Sequence, residues 1–374
     1  MKILHVIGKR PTGGIGTVVK NYQSHLDITK CQFDYLIFND EKNGDFDKYV
    51  KSYGSNVYVL PELKNSRLFL ITREVKRFLE KKAKDYDAIH LHSPNIAFIV
   101  LRYAKKYDIN IRIIHSHATE YSDKKLNAMR NYFLCIPGLY YATDYFYCSE
   151  AAKDFLFPKK TDHLFEMYNA IETETFKFNK KTRDKVRKEL QINENTLVLV
   201  HTGRFTKQKN HTYLIDVAIN LNKRYSDFIL LLIGDGPLKK EICEKIEYNH
   251  LNDKVLCLGY KKNISDYLAC ADIFLLPSLY EGLPLSVVEA QCNGLNIIIS
   301  NNVTKELTFD KNKCIYLGIE KKDLKSWTNS ILNLKNNDLK DREMAYLKAD
   351  KKHYNINIEV NRVVDKYRNL IESK

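Results

Sequence analysis

Short, almost continuous apolar runs alternate with longer segments of helical spacing along the whole chain. The runs that predict strands in the first half are 3–7, 33–38, 57–60, 88–92, 111–115 and 145–148, and helical spacing is clear over 67–84 and 95–107. The runs in the second half are 197–201, 228–233, 255–258, 273–276 and 297–299. Apolar strands that alternate with helices are typical of a parallel sheet covered on both faces. The pattern therefore predicts a doubly wound α/β fold.

The alternation pauses once and then restarts, which divides the chain into two α/β units. A polar and charged connector, 177–182, separates them. Near the end of the chain, 359–371 carries apolar residues at helical spacing, which predicts a closing amphipathic helix. We expect domains over 1–176 and from 177 onwards.

The charge balance favours an anionic partner. The 374 residues include 60 Lys and Arg against 46 Asp and Glu, a net charge of +14. Such a surplus suits a nucleotide, a phosphate, a nucleic acid or an acidic membrane surface, and does not choose among them. No recognised motif interleaves basic and stacking aromatic residues, so we expect no nucleic-acid partner.

The cysteines and the apolar runs indicate the compartment. The eight cysteines show no C-x-x-C spacing and sit mostly in apolar runs, which favours reduced thiols. The first apolar run is too short for a signal peptide, and none reaches the roughly 18 residues of a membrane span. We expect a cytoplasmic protein that is at most peripheral to a membrane.

Glycines follow the first predicted strand, at the edge where open α/β sheets bind ligands. Gly13, Gly14, Ile15 and Gly16 form the loop into the next helix. Backbone amides there can approach a phosphate or a sugar, and a tight structural turn explains the glycines equally well. Neither the dinucleotide pattern nor the P-loop pattern is matched.

Two His-x-His pairs stand at strand ends, His90 with His92 and His115 with His117. A period of two places each pair on one face of its strand. A polar substrate-binding role and a purely structural role both fit. Zinc is disfavoured because neither pair has a third acidic or thiol ligand at metal spacing, and we expect no metal site.

Two loops of the second half carry more specific chemistry. Gly203 and Arg204 follow one strand, and Lys209 precedes the next helix. Two cations on one solvent-facing strand-to-helix loop suit a diphosphate, although a solvated basic loop is the simpler alternative. The turn at 234–237, Gly-Asp-Gly-Pro, is better explained as structural, with its proline in the first turn of a helix.

The second loop holds two carboxylates eight positions apart, Glu281 and Glu289, around the helix start Gly282-Leu283-Pro284. Free amides at 283–286 can hold a phosphate, and the two carboxylates can reach hydroxyls on either side of it. A nucleotide sugar has this distribution of groups. Two solvated glutamates are the alternative, but Glu289 lies in an apolar helix, where an ionised carboxylate is costly unless it is paired.

Together these motifs resemble the retaining GT-B glycosyltransferases of the E-x7-E group, in particular bacterial members that build exopolysaccharide or capsule. The motifs in chain order are Gly13-Gly14-Ile15, 87–93, 114–117, 149–150, 168–171, Gly203-Arg204 with Lys209, 234–237, Gly259-Tyr260 and Glu281 to Glu289. The resemblance implies two Rossmann-like domains that face a central cleft. It also implies a C-terminal helix that packs back on the first domain, giving 1–176 with 355–374 and 177–354.

The resemblance also implies roles for the site residues. Arg204 and Lys209, with Gly203, would hold the donor diphosphate. Glu281 would bind hydroxyls of the transferred sugar and Glu289 those of the ribose. The remaining donor contacts would come from Gly13, Gly14, Ile15, Gly259, Tyr260, Gly282, Leu283, Pro284 and His117. His115 is close enough in sequence to compete with His117 for the sugar contact.

The implied activity is transfer of a hexose-type sugar from a nucleotide sugar, with UDP the expected carrier, without metal or cofactor. The implied acceptor is a glycan or an undecaprenyl-linked glycan in cell-surface polysaccharide synthesis. The segment 124–141, which combines Lys124, Lys125 and Arg130 with aromatic residues, leads us to expect contact with an anionic membrane. Packing of 132–141 into the core is the alternative, because Pro137 and Gly138 should interrupt a helix. A GT-B sugar-nucleotide epimerase and a non-catalytic partner subunit are the rival functions.

Overall fold

The computed structural model describes residues 1–11, 14–41, 44–117, 125–159, 161–335 and 339–373. The chain divides into two compact units. The first comprises Met1–Ala170 with Ile356–Lys374, and the second comprises Ile171–Asn355.

A parallel sheet forms the centre of the first unit. The order of its described strands is β3-β2-β1-β4-β5-β6-β7. The strands are β1 (Lys2–Ile7), β2 (Gln32–Phe38), β3 (Val57–Leu60), β4 (Ala88–Leu91), β5 (Ile111–Ser116), β6 (Asp144–Tyr147) and β7 (Leu164–Glu166). The helices are α1 (Gly14–His25), α2 (Asp45–Lys51), α3 (Leu68–Lys82), α4 (Ala97–Lys106), α5 (Lys125–Leu139), α6 (Glu150–Leu156) and the C-terminal α14 (Ile356–Glu372).

The closing helix belongs to this first unit. Its apolar face, which includes Val360, Val363 and Tyr367, is buried. The helix packs against α1, and Asn21 of α1 in turn donates a hydrogen bond to the carbonyl of Ala170. The amphipathic spacing at the end of the sequence therefore covers one face of the first sheet.

The second unit repeats the architecture around a sheet of order β10-β9-β8-β11-β12-β13. The strands are β8 (Leu197–Thr202), β9 (Phe228–Ile233), β10 (Val255–Gly259), β11 (Ile273–Leu276), β12 (Asn296–Ser300) and β13 (Cys314–Leu317). The helices are α7 (Lys180–Glu189), α8 (His211–Asn222), α9 (Lys239–Tyr248), α10 (Ile264–Cys270), α11 (Leu285–Cys292), α12 (Leu324–Leu334) and α13 (Leu347–Asp350).

The predicted fold class, two doubly wound parallel α/β units, is confirmed. The strand pairs of both sheets, within the described ranges, are parallel. The apolar pattern missed β7 and β13, which are three- and four-residue edge strands with only half-buried side chains. β7 has only three residues and ends at Glu166, whereas β13, Cys-Ile-Tyr-Leu, is as apolar as the edge strand β3 that the pattern did predict. Likewise, α9 begins at Lys239, so Pro237 precedes the helix instead of lying in its first turn.

A buried ion-pair cluster fixes the start of β11 against β8. The carboxylate of Asp272 forms ion pairs with Arg183 at 2.5 Å and with Arg187 at 2.9 Å. Its Oδ2 also accepts a hydrogen bond from the backbone N–H of Val198 at 2.8 Å. The charges are paired, as burial requires. The carboxyl ends of the same two strands carry the candidate site.

Helix α5 differs from the expectation that Pro137 and Gly138 would interrupt it. The helix continues through Pro137 to Leu139. Pro137 falls in the last turn, so the one N–H···O bond that it cannot donate is lost at the end of the helix and not in its middle. Gly138 allows close packing on α4, since a Cβ there would lie 2.3 Å from the Cβ of Ala97. No described helix is both long and apolar enough to cross a membrane.

Candidate functional site

Two loops at the carboxyl ends of neighbouring strands bring the candidate residues of the second unit together. One loop follows β8 and leads to α8, and the other follows β11 and leads to α11. Strands β8 and β11 pair directly, so their loops start side by side. The backbone N–H of Leu279 donates to the carbonyl of Gln208 at 2.8 Å, and Asn210 Nδ2 donates to the carbonyl of Pro277 at 3.2 Å. The two loops therefore form one bonded surface.

An ion pair joins the two loops at their centre. Lys209 Nζ lies 2.6 Å from Glu281 Oε1, and both side chains are largely buried. The expectation that Lys209 faces solvent is therefore wrong: its stem crosses Gly203, where an added Cβ would lie 3.3 Å from Lys209 Cδ and Cε. Glycine at 203 leaves room for the lysine to reach across to the neighbouring loop.

Glu281 is held by two further side chains that the sequence did not indicate. Ser278 Oγ donates to Oε1 at 2.8 Å, and Gln208 Nε2 donates to Oε2 at 3.2 Å. Gln208 also donates to the carbonyl of Tyr280 at 3.1 Å. Ser278 and Gln208 lie close in sequence to predicted site residues, but the orientation of their side chains depends on how the two loops pack together. The carboxylate of Glu281 is thus fixed in orientation before any ligand binds.

Arg204, in contrast, is exposed and forms no ion pair with the residues that the structure describes. Its guanidinium carries five donors and a permanent charge, which suits a phosphate or diphosphate. The loop therefore offers one cation that is already paired and one that is available to a ligand.

The start of α11 adds backbone donors to the same surface. Gly282, Leu283 and Pro284 lead into the helix, which begins at Leu285, and Pro284 precedes it in an extended conformation. The first amides of an α-helix have no partner within the helix and carry partial positive charge. Both features favour an anion at this end of α11.

Glu289 lies one turn into α11, between the buried side chains of Val288 and Ala290. It is half-buried, and its carboxylate makes no hydrogen bond or ion pair within the described part of the chain. Burial raises its pKa to about 7, although the nearby charge of Lys209 opposes that change. Glu289 thus has no partner among the described residues, and its raised pKa leaves it partly protonated near pH 7.

The turn at 234–237 has the structural role that the sequence favoured. A Cβ on Gly234, whose φ is +143°, would lie 2.0 Å from the carbonyl oxygen of Gly203. The backbone N–H of Phe205 also donates to the carbonyl of Asp235. Gly234 thus lets the turn press against the β8 loop and support it.

Gly259 and Tyr260 end β10 at the same edge of the second sheet. The carbonyl of Gly259 accepts the N–H of Gly234 at 3.0 Å. The Tyr260 ring is 75% exposed and is therefore accessible to a ligand.

In the first unit, the structure separates the glycines of the first loop. Gly13 lies outside the described residues. Gly14 opens α1, and a Cβ added to it would meet nothing within 4 Å. Gly16 is tightly packed, with its added Cβ 2.9 Å from the carbonyl oxygen of Pro11. Ile15 is half-buried. The close approach of Pro11 to α1 requires a glycine at 16, whereas Gly14 borders open space.

The two histidine pairs converge, and His5 of β1 joins them. Four of the five rings, those of His5, His90, His92 and His115, are buried, and that of His117 is half-buried. Burial lowers the pKa of His5 and of His117 to about 3, so these imidazoles are neutral at pH 7. The full burial of His115 leaves His117 as the member of that pair that a ligand can reach.

These histidines also include two groups whose ring nitrogens lie within 4.8 Å of one another, namely His5, His90 and His92, and His92, His115 and His117. Neighbouring rings are stacked, with the centroids of His115 and His117 3.7 Å apart. Their bonded nitrogens face one another in pairs. A metal needs nitrogens that face a common centre, so this arrangement suits hydrogen bonds better.

Comparison with known proteins places the chain in a family. The profile described as "Glycosyl transferases group 1" matches residues 182–352, which contain both loops of the candidate site. The putative glycosyltransferase EpsF of Bacillus subtilis is 32% identical over 312 residues, which cover 82% of this chain and 80% of EpsF.

Two other similarities concern a shorter segment and the fold. The Escherichia coli UDP-Gal:α-D-GlcNAc-diphosphoundecaprenol α-1,3-galactosyltransferase is 32% identical over 173 residues, 44% of this chain and 43% of that enzyme. The crystal structure of Anabaena HepE in complex with UDP superimposes with a TM-score of 0.80 at 17% identity, covering 99% of this chain and all of HepE. The chain therefore belongs to the group 1 glycosyltransferases and has their GT-B fold.

Proposed function

We propose that the protein is a retaining glycosyltransferase that moves a hexose-type sugar from a UDP-sugar to a glycan or lipid-linked acceptor. The observation that carries the proposal is the surface formed by the β8 and β11 loops. There, the fixed carboxylate of Glu281, the cations Arg204 and Lys209, and the first amides of α11 lie at one sheet edge.

We assign the cations and amides to the donor diphosphate. Lys209 uses one of its three N–H donors on Glu281, which leaves two for diphosphate oxygens. Arg204 supplies a charge-assisted contact from the exposed side of the loop. Fixed positive charge of this kind stabilises the negative charge that grows on the leaving group.

We assign the acids to the sugars of the donor. Glu281, held by Lys209, Ser278 and Gln208, would accept hydrogen bonds from hydroxyls of the transferred hexose. Glu289 would accept from the ribose hydroxyls and Tyr260 would contact the base. The remaining contacts, from Gly14, Ile15, Gly259, Gly282, Leu283, Pro284 and His117, are assigned by resemblance, and so is that of Gly13, outside the described residues.

The reaction breaks the bond between the anomeric carbon and the diphosphate oxygen. The acceptor oxygen forms the new bond on the same face of the sugar. The acceptor proton passes to the departing diphosphate, so no separate protein base is required. We propose that Arg204, Lys209 and the α11 amides supply the positive charge for this step without a metal ion.

The relatives support the donor and acceptor classes. The E. coli relative is named for transfer from UDP-galactose to a diphosphoundecaprenol-linked sugar, and HepE was crystallised with UDP. On these grounds we propose UDP as the carrier and a cell-surface glycan, such as capsule or exopolysaccharide, as the product.

Helix α5 supports a further proposal, that the protein attaches reversibly to an anionic membrane surface where a lipid-linked acceptor lies. Met129, Phe133 and Ile136 are exposed on one side of this helix and Tyr140 is exposed just after its end, while Cys135 is buried. The alternative, that 132–141 packs into the core, fits Cys135, Leu139 and Tyr141 but not these exposed residues. Exposed aromatic and apolar residues on a helix anchor at the membrane interface.

Basic residues accompany this apolar surface. Lys105 Nζ lies 5.7 Å from the centre of the Tyr140 ring, and Arg102 lies 5.6 Å from that of Phe98, which is also exposed. Cations beside inserted aromatic rings favour anionic lipids. Of the cations named from the sequence, Arg130 lies on α5, whereas Lys124 and the Lys125 side chain lie outside the described residues.

A donor screen tests the proposed activity. Nucleoside diphosphate release is measured over a panel of UDP- and GDP-sugars with a lipid-linked glycan acceptor, and the anomeric configuration of the product is read by NMR. Release with one UDP-sugar and a product of retained configuration is expected. An inverted product would contradict retention. Interconversion of the sugar nucleotide without transfer would favour an epimerase, and no turnover by folded protein would favour a non-catalytic subunit.

A further inference from the structure

Hydrogen bonds order the five histidines of the first unit into two separate chains. In the first chain, His5 Nδ1 bonds His92 Nε2 at 2.9 Å, and His92 Nδ1 bonds His117 Nε2 at 2.8 Å. In the second chain, the hydroxyl of Tyr367 on α14 bonds His90 Nδ1 at 2.5 Å, and His90 Nε2 bonds His115 Nδ1 at 3.0 Å.

The strands explain why the chains form. His5 of β1 pairs in register with His90 of β4, and the period of two places His92 on the same face as His90. His115 and His117 extend the same face on β5 and just beyond its end. The first chain therefore runs across the sheet from a buried ring to the half-buried ring of His117.

Each neutral imidazole has a single N–H, so the first chain allows two directions of donation. If His5 donates to His92 and His92 donates to His117, the proton of His117 is on Nδ1. In that direction, the nitrogen left without a partner is a bare acceptor, His5 Nε2. In the reverse direction, His5 Nε2 carries a proton and becomes a buried donor without a partner.

We take the first direction because it leaves no buried N–H without a partner, and in the protein backbone such orphaned N–H groups are the rarest unsatisfied polar groups. His5 Nε2 is fully buried and makes no hydrogen bond with the described residues. Phe33 packs on the ring with centroids 4.2 Å apart, an apolar neighbour that offers no acceptor.

We propose that His92 and His5 are positioning residues that hold His117 as the Nδ1–H tautomer, so that His117 donates a hydrogen bond to a hydroxyl oxygen of the donor sugar. The proposal rests on the proposed function, which places His117 at that sugar. It makes His117 a hydrogen-bond donor and not the base that accepts the acceptor proton. That agrees with passage of the proton to the departing diphosphate.

His90 provides a matched control. It lies two residues before His92 on the same face and is equally buried, but it belongs to the second chain and makes no bond to His117. The test variants are His92→Phe, which keeps a stacked ring without nitrogens, and His92→Asn, whose amide can replace Nδ1. His90→Phe is the control.

The direct test is ¹⁵N NMR of histidine-labelled protein at neutral pH, treated with a chelator, with His117 assigned by its loss in His117→Gln. We expect a protonated Nδ1 and a bare Nε2 on His117 in the wild-type protein. We also expect a shift toward Nε2–H in His92→Phe but not in His92→Asn or His90→Phe. A wild-type His117 protonated on Nε2 would overturn the proposal even if the His92 and His90 variants fail to fold. A change in the signals of these rings when the chelated protein is titrated with zinc would also overturn the proposal.

Kinetics separate this proposal from the assignment of His117 to the sugar. We expect His92→Phe to lower kcat/KM for the UDP-sugar about tenfold, the effect of one neutral hydrogen bond, and His92→Asn to recover most of it. His90→Phe should remain within twofold of wild type. Equal losses in His92→Phe and His90→Phe would show a merely structural effect and overturn the proposal. Unchanged kinetics with the expected NMR shift would overturn the sugar contact while the tautomer assignment stands.

Discussion

Lys209 Nζ lies 2.6 Å from Glu281 Oε1, so the lysine assigned to the diphosphate also fixes the carboxylate assigned to the sugar. The two residues come from loops after different strands, and neither side chain is exposed enough for the pair to be a solvent-screened surface contact. A substitution of Lys209 is therefore expected to change both the positive charge beside the diphosphate and the orientation of the Glu281 carboxylate.

Lys209→Ala and Arg204→Ala should each lower turnover about 100-fold, the effect of losing one charge-stabilising donor. Only Lys209→Ala should also lower the free energy of unfolding, by about 2 kcal/mol, because the buried Glu281 loses its charged partner. Steady-state kinetics and denaturant unfolding measure the two effects. Lys207→Ala, an exposed lysine of the same loop, is the control. Near wild-type turnover by folded Lys209→Ala would refute the diphosphate assignment.

Glu281→Gln should reduce kcat more than Glu289→Gln, whereas Glu289→Gln should mainly weaken UDP binding. Glu281 lies in the loop proposed to face the reacting sugar, and Glu289 lies one turn into α11, where we place the ribose. Calorimetric titration of both variants with UDP, beside their kcat values, separates the roles. Unchanged UDP affinity in Glu289→Gln, together with weakened affinity in Glu281→Gln, would reverse them.

Glu289→Gln should stabilise the second unit at pH 8 and have little effect at pH 5. Burial raises the pKa of Glu289 from 4.5 to about 7, so the folded protein holds a proton that the unfolded chain releases between these values. The free energy of unfolding therefore loses up to about 3 kcal/mol from this group as the pH rises through that range.

Fluorescence of Trp327 is the suitable probe, because this one tryptophan of the chain is buried in the second unit. Urea unfolding of wild type and Glu289→Gln is compared at the two pH values. Glu247→Gln, an exposed glutamate on α9, serves as the control. Equal stability of wild type and Glu289→Gln at pH 8 would contradict the raised pKa.

Transfer activity should persist without divalent metal. Arg204, Lys209 and the amides of α11 already supply positive charge for a diphosphate, so we expect no role for Mg²⁺ or Mn²⁺. Enzyme dialysed against EDTA and assayed in EDTA should retain its kcat within twofold. Loss of activity that Mg²⁺ or Mn²⁺ restores would show that the proposed charge balance is incomplete.

Binding to liposomes should require both anionic lipid and the exposed side of α5. We expect co-sedimentation with phosphatidylglycerol vesicles that falls with salt, and binding at least fivefold weaker in Phe133→Ser/Tyr140→Ser and in Lys124→Ala/Lys125→Ala/Arg130→Ala. Each inserted aromatic and each nearby cation contributes about 1 kcal/mol or more.

Phe69→Ser is the matched control for that experiment, since Phe69 is an aromatic residue that is 85% exposed on a different helix, α3. Equal binding to neutral and anionic vesicles, or no binding to either, would rule out the anionic surface. Equal weakening by Phe69→Ser would show that the contact is not specific to α5.

The sequence was sufficient for the central strands, the two-unit α/β architecture and the positions of the two loops. Those features follow from local information, because an apolar run of five or six residues bounded by polar turns predicts a buried strand wherever it occurs. Arg204, Lys209 and Glu281 of the loops, and Glu289 of the helix that follows, were also recognisable, since ligands of open α/β sheets meet the carboxyl ends of strands.

Long-range geometry settled what those residues do to one another. The pair of Lys209 with Glu281 depends on β8 lying beside β11, and the supporting bonds of Ser278 and Gln208 depend on how the two loops close. Glu289 illustrates the same limit: its helix was evident from the sequence, but its lack of a partner among the described residues was not.

The histidines show most clearly what spacing along the chain leaves open. Period two placed His115 and His117 on one face but could not distinguish the buried ring from the half-buried one. It also gave no sign of His5 or Tyr367, which reach the same cluster from the first strand and the last helix. Strand order and the docking of α14 bring these distant residues together, because hydrogen bonds depend on distances in space and not on separation along the chain.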